Sequence, residues 1–232
     1  MVLPEGMNPI DAAIRKELRT EIACVGYATV RGQYAQLGTL AVAAALGEVI
    51  DPWGEGPVQS IKPRGTSTPN TYSGIFGVGR FPFHTDLAHW PEPPRYLLLR
   101  CVKGYEEVPT LLADGQNLLR DVTPDILGRA IVRPRRRVVG HSRLLRLFQP
   151  KADGGTLLRW DEVFLKPASP VGELACATMK ACLEGAAVTS VAMTQAGDVV
   201  VIDNWRMLHS RPGIPPGRED RHLERVYLRS LH

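Results

Sequence analysis

Apolar positions Ile10, Ala13, Ile14 and Leu18 recur at helical spacing near the start of the chain. Asn8 and Pro9 precede them and Asp11 follows, an arrangement that predicts a helix start with Asn as cap, Pro in the first turn and an acid beside it. Residues 26–30 then read as a short strand ending at Arg31-Gly32. Helical spacing returns over about residues 34–46 and stops at Gly47, the expected C-cap. Residues 51–70 are rich in Pro, Gly, Ser and Thr and show no period, which predicts a long irregular segment of the kind often used as a lid.

From about residue 71 strand patterns dominate. The apolar run 96–102 suits a strand buried on both faces, 199–202 follows a Gly-Asp turn, and 221–229 alternates. Short helical patterns cover 114–119 and 124–130, and a longer one covers 171–183. Helices first and interrupted strands afterwards predict a mainly β fold with flanking helices, a sandwich or jelly roll. Regular strand–helix alternation is missing, as are GxGxxG and Walker loops, so a nucleotide-binding α/β fold is not expected. The expected organisation is one domain over residues 1–232, with helical elements in 1–50 and a jelly-roll core carrying an insert in 70–232.

Composition narrows the class only a little. With 44% hydrophobic and 22% charged residues the chain is globular in character, and no apolar run has the length of a membrane span. The N-terminal stretch has early acids and no apolar core of a secretory signal, so a cytoplasmic protein is expected. Cys24, Cys101, Cys176 and Cys182 form no CxxC pair and are expected to be buried, reduced thiols. The net charge of +4 arises from 22 Arg against 6 Lys. Its densest run, Arg133-Pro-Arg-Arg-Arg137, has no interleaved aromatics, which favours a solvated face over a nucleic-acid site. The partner expected is therefore a small molecule, with neither nucleic acid nor membrane.

The segment Arg80-Phe-Pro-Phe-His84-Thr-Asp86-Leu-Ala-His89-Trp90 carries the first chemical signal. On an extended backbone His84 and Asp86 point to the same face, about 6–7 Å apart, and can converge on one metal ion. A His-x-Asp pair is weak evidence alone. Further along, Asp203-Asn-Trp-Arg-Met-Leu-His209 places a second histidine just beyond an apolar strand. Two His and one carboxylate with open positions form the donor set suited to non-haem Fe(II). Arg221, in Arg221-His-Leu-Glu-Arg225, shares a strand face with Leu223 and Arg225, and a buried guanidinium suits a bidentate carboxylate partner.

The order His84-x-Asp86, Thr110, His209, Arg221 resembles the taurine dioxygenase and clavaminate synthase-like family, as do FPFHTD at 81–86, PTLLAD at 109–114, DNWRMLHSRPG at 203–213 and RHLERVY at 221–227. The resemblance is ordered over roughly residues 70–115 and 190–230. It implies a double-stranded β-helix and an oxygenase that uses Fe(II), 2-oxoglutarate and O2. His84, Asp86 and His209 would be iron ligands, and Arg221 with Thr110 would bind 2-oxoglutarate. Arg225 matches a position where some members meet an anionic group of the prime substrate. Glu107-Val108-Pro109 stand where the family usually has glycines before the threonine. The implied reaction converts 2-oxoglutarate to succinate and CO2 while oxidising an unactivated C–H bond of a small polar molecule, such as an amino acid or natural-product intermediate. Family halogenases lack the carboxylate that Asp86 supplies, so hydroxylation or a related oxidation is implied.

Other residues are weighed around that frame. His89 is expected on a loop over the substrate in preference to a competing ligand role, and His141 and His222 as ordinary polar residues. Trp90, Pro91, Pro93 and Pro94 make a stiff stretch suited equally to a pocket wall or to packing on a sheet. Asn70, Thr71, Tyr72 and Ser73 lie where relatives place substrate or co-substrate contacts, and a plain turn fits as well. Arg159 is a candidate carboxylate anchor, its alternative a surface ion pair with Asp161 or Glu162. A non-catalytic jelly roll holding a metal would have no need of Arg221. A zinc hydrolase would want a general base beside the metal, and no HExxH string supplies one.

Overall fold

The apolar run at 96–102 forms the strand Tyr96–Lys103 at the centre of a six-stranded antiparallel sheet. The structure, a computed structural model, describes residues 10–64, 71–135, 144–152 and 154–232. Alternate side chains of this strand enter different cores, which is why the run is apolar on both parities. Leu98 packs outward with Val199, Val201, Val226 and the N-terminal helices, while Leu97, Leu99 and Cys101 pack inward with Val200, Ile202 and Leu223. Tyr27–Val30, Val199–Asp203, Tyr96–Lys103, His222–Leu231 and Gly47–Ile50 follow one another across the sheet, and Gln59–Ile61 also pairs with His222–Leu231.

The second sheet has four antiparallel strands in the order Val188–Val191, Thr110–Asp114, Met207–Arg211, Phe81–His84. Its inner face meets the larger sheet through Leu112, Val191 and Met207. Its outer face (Phe83, Ala113, Leu208) is covered by the helices Gly115–Asp121, Pro124–Arg129 and Pro170–Glu184 and by the insert that carries Trp160. Two facing antiparallel sheets with helices outside make the jelly-roll architecture expected.

Several boundaries differ from the sequence reading, each for a local reason. The first helix is Ala12–Val25, capped by Asp11, whose carboxylate accepts from the Ala13 N–H at 2.7 Å. Asp11 is thus the cap and not a first-turn acid; Asn8 and Pro9 lie outside the described residues. The second helix begins only at Thr39, after turns that supply carbonyls of Ala35 and Leu37 to the buried Arg100 guanidinium. Gly47 is the C-cap expected, its N–H donating to the Ala43 carbonyl, but it is extended and opens a strand; it must be glycine because a Cβ there would stand 2.1 Å from the Ser230 carbonyl oxygen. The irregular segment contains the strand Gln59–Ile61, too short to show a period. Ahead of it, Asp51 accepts from the N–H groups of Gly54 and Gly56 and closes a tight loop that carries Trp53.

The four cysteines are free, with Cys101 buried, Cys176 and Cys182 partly buried, and Cys24 exposed, against the buried thiol expected at Cys24. Arg136, Arg137, His141 and Asn70 lie outside the described residues. Among the described residues no helix is long and apolar enough to cross a membrane.

Candidate metal centre and active-site cavity

His84 is the last residue of Phe81–His84, and antiparallel pairing sets it opposite His209 of Met207–Arg211. Directly opposed side chains on adjacent strands are close neighbours, and here the imidazole centroids are 4.3 Å apart. The strand stops at His84, so Asp86 arrives in a turn and not on the extended backbone the spacing implied. Thr85 anchors that turn to the insert, its N–H donating to the Trp160 carbonyl at 2.9 Å. Asn204, fully buried, accepts from the Asp86 N–H at 2.7 Å and donates to the carbonyls of Asp86 and Pro94. Leu87 completes the turn in the left-handed region at φ 54°, uncommon for a branched side chain.

The turn brings Asp86 Oδ1 to 3.5 Å from His84 Nε2 and 3.6 Å from His209 Nε2. Ligands about 2.1 Å from one metal at near right angles stand roughly 3.0 Å apart, so a small inward movement suffices. Among the described residues this is the one trio of His, Cys, Asp or Glu able to hold a metal, and all three are buried. The pose is held from behind. His84 Nδ1 lies 2.9 Å from the Pro82 carbonyl, which fixes the ring with Nε2 inward. Asp86 Oδ2 accepts from Arg225 Nη1 at 2.9 Å and from the Tyr227 hydroxyl at 2.8 Å. Burial would raise the Asp86 carboxyl, but Arg225 and the two imidazoles hold it well below the usual carboxylate range. Burial pulls His84 down, and Asp86 more than offsets this; burial and then the neighbouring His84 leave His209 lowered.

The trio opens into a cavity of about 560 Å³ between the sheets. Thr110, first residue of Thr110–Asp114, and Arg221, just before His222–Leu231, line it and are buried. Burial lowers Arg221 to about 10. No carboxylate among the described residues pairs with its guanidinium. Arg211 beside it is engaged differently, donating to the carbonyls of Gly77, Gly79 and Pro212 and lying 3.9 Å over the Phe81 ring.

Of the remaining sequence candidates, Ser73 and His89 line the cavity, and His222 turns away to Ser60, its ring nitrogen 2.9 Å from the hydroxyl. Arg159 is corrected. It does not reach the cavity, and no surface ion pair holds it; its buried guanidinium donates to the carbonyls of Ala88, Trp90 and Pro91. It braces the stretch after the metal turn. Arg225 lines the cavity but is directed to Asp86 and to Gln59 Oε1 at 2.9 Å. Sequence reasoning gave no role to Asn204 or Tyr227, and named Asp161 only beside Arg159, as its alternative ion-pair partner. Asn204 and Tyr227 stood inside the quoted strings, where an amide and a phenol among apolar neighbours were the available signal.

A family model described as Taurine catabolism dioxygenase TauD, TfdA family matches residues 3–227. Among solved structures, the chain resembles asparagine oxygenase in complex with Fe(II), 2S,3S-3-hydroxyasparagine and succinate, at 17% identity and TM-score 0.70, over 94% of this chain and 79% of that one. It resembles the non-heme iron oxygenase OrfP in complex with Fe and alpha-ketoglutaric acid at 19% identity and TM-score 0.73, over 94% and 80%. The PvcB protein from Pseudomonas aeruginosa matches at 20% identity and TM-score 0.68, over 97% and 83%.

Proposed function

This chain belongs to the taurine catabolism dioxygenase TauD, TfdA family, and from that premise we propose that it is an Fe(II)- and 2-oxoglutarate-dependent oxygenase that hydroxylates an unactivated C–H bond of a small polar molecule. An amino acid or an amino-acid-like intermediate is the class we favour, because asparagine oxygenase and OrfP, whose folds it shares, were solved with such ligands. The observation that carries the reading is Arg221: a buried cation without an anionic partner among the described residues, opening into the cavity that holds the two-histidine, one-carboxylate set. Burying an uncompensated charge is unfavourable, so the position makes sense when a ligand carboxylate completes it.

The residues divide the work. His84, Asp86 and His209 are the iron ligands, and the bound iron with 2-oxoglutarate supplies the activation of O2. Arg221 takes the distal carboxylate of 2-oxoglutarate through its planar fork, with the Thr110 hydroxyl beside it. Arg225 and Tyr227 keep Asp86 oriented, and the apolar walls, Leu99 and Leu223 among them, exclude water from the reacting carbon. We infer a cytoplasmic protein with its cysteines reduced.

Anaerobic titration of the Fe(II)-loaded protein with 2-oxoglutarate tests this, read as the weak visible band of an iron-bound 2-oxo acid. The band is expected in the wild type. Arg221→Ala should raise the 2-oxoglutarate requirement on the order of 100-fold while leaving Fe(II) affinity within about twofold. An unchanged requirement would refute the co-substrate role, and an active Asp86→Ala would refute the ligand set.

A further inference from the structure

Arg221 stands just ahead of the strand His222–Leu231, and the ladder beside it is irregular. His222 pairs with Lys103 and Leu223 with Cys101, so the register slips by one residue next to Arg221. A bulge of this kind bends the chain and disrupts the local pairing, so the ladder alone does not aim the arginine. Thr110 likewise opens its strand, Thr110–Asp114. Both residues read as co-substrate groups therefore follow tight turns. The Val108 N–H donates to the Tyr105 carbonyl at 3.1 Å and closes the first turn. The Arg221 N–H donates to the Arg218 carbonyl at 3.1 Å and closes the second.

Side chains interlock the two turns. Arg218 Nη2 donates to Glu107 Oε1 at 3.1 Å, and its guanidinium lies 4.5 Å from the centre of the Tyr105 ring. The Tyr105 hydroxyl donates to Asp220 Oδ1 at 2.5 Å, and Lys103 donates to Asp220 Oδ2. Contacts thus cross from Lys103, Tyr105 and Glu107 to Arg218 and Asp220. Behind them Val108 is buried and the Pro109 ring fixes its own φ, so a shift at Glu107 is passed on to Thr110. Gly104 holds the base of the first turn against Met193, where a Cβ would stand 1.8 Å from the carbonyl oxygen. A single exposed ion pair contributes little, but these charges and one ring form a connected network. Its members are exposed or partly exposed, and none of them lines the cavity.

We propose that this network is a latch for the co-substrate end of the site: Arg218, through Glu107 and Tyr105, positions Arg221 opposite Thr110. The assignment rests on the oxygenase reading above. A forked guanidinium–carboxylate contact depends on geometry, so a small misplacement of the turn is read as lost affinity. Arg218 acts through the backbone of its turn, which makes it a positioning residue and not a binding one. The latch also gives a purpose to Glu107-Val108-Pro109, which supply an acid that pairs, an apolar side chain that packs and a fixed φ.

The test titrates the Fe(II)-loaded protein anaerobically with 2-oxoglutarate and with pyruvate, reading the visible band, and measures Fe(II) affinity by competition with a chelator. Pyruvate is also a 2-oxo acid but has no distal carboxylate for Arg221. Arg218→Gln should weaken 2-oxoglutarate about fivefold, the scale of a small exposed network, and leave pyruvate and Fe(II) within about twofold. Adding Glu107→Gln to Arg218→Gln should weaken 2-oxoglutarate by less than about 1.5-fold more, because both changes remove one contact. The melting temperature of Arg218→Gln should stay within about 2 °C of the wild type. Unchanged 2-oxoglutarate binding in Arg218→Gln, an equal loss for pyruvate, or fully additive losses in the double variant would overturn the latch. A wild type that shows no band with either 2-oxo acid would instead fail the oxygenase reading, and this assignment would fall with it.

Discussion

The Tyr227 hydroxyl and Arg225 Nη1 both donate to Asp86 Oδ2, which leaves Oδ1 alone between the imidazoles of His84 and His209. A carboxylate tethered in this way offers one oxygen to a metal. Removing the phenol releases that constraint without altering the ligand set, so Tyr227→Phe should weaken Fe(II) binding by about tenfold. Competition with a chelator under anaerobic conditions measures this, and an unchanged melting temperature of the metal-free variant separates it from a packing defect. The same contacts have a consequence for acid stability. Because Asp86 is held well below its ordinary value near 3.8, its contribution to stability is complete above that value and is lost as pH falls through the lower folded one. In metal-free protein, Asp86→Asn should flatten the stability decline below about pH 4, checked by denaturant midpoints across that range. Both His84 and Asp86 were legible as candidates from their spacing. Tyr227 was not, since a tyrosine in an alternating strand pattern reads as packing until the opposite sheet is placed over it.

At the scale of elements, the metal turn is a strand end tied from two sides. Thr85 is fixed to Trp160 of the insert, and Asn204 binds the Asp86 backbone from the turn between Val199–Asp203 and Met207–Arg211. Arg159 then secures the following stretch through three carbonyls. Deleting that guanidinium leaves buried acceptors unpaired, so Arg159→Met should destabilise the protein on the order of 3 kcal/mol. Urea unfolding gives the loss directly. A loss below about 0.5 kcal/mol would mean that the stretch holds its shape without the bracing. Strand existence was readable where apolar runs were long, as at Tyr96–Lys103. It was not readable at Gln59–Ile61, because three residues carry no period and their partner, His222–Leu231, is more than 150 residues away.

For the whole molecule, the two sheets contribute different functions to one cavity. The smaller sheet and its turn provide His84, Asp86, His209 and Thr110, while the larger sheet provides Arg225 and Tyr227, with Arg221 just ahead of the same strand. A metal held by one sheet and a co-substrate anchored beside the other would join the two, and ligands that bind only the folded chain stabilise it. Calorimetric melting should therefore show one transition, raised in steps by Fe(II) and then by 2-oxoglutarate, with the second step absent in Arg221→Ala. Two resolved transitions would argue against the single domain proposed for residues 1–232.

The mainly β class was legible in the sequence, and His84, Asp86 and His209 were candidates there by residue type and spacing, with Thr110 and the co-substrate role of Arg221 added by the family resemblance. The reason is physical: ligand chemistry demands particular residue types at particular spacings, and buried strands demand apolar runs. Tertiary structure decided which charges remain free. Five arginines read alike in sequence, yet Arg159 and Arg211 are saturated by carbonyls, Arg225 is bound to Asp86, and Arg206 is paired with Asp114. Arg221 lines the cavity, buried and with no salt-bridge partner among the described residues. Whether a charge is spent on the protein or left for a ligand depends on what lies within about 3 Å of it, and that is set by segments distant in the chain.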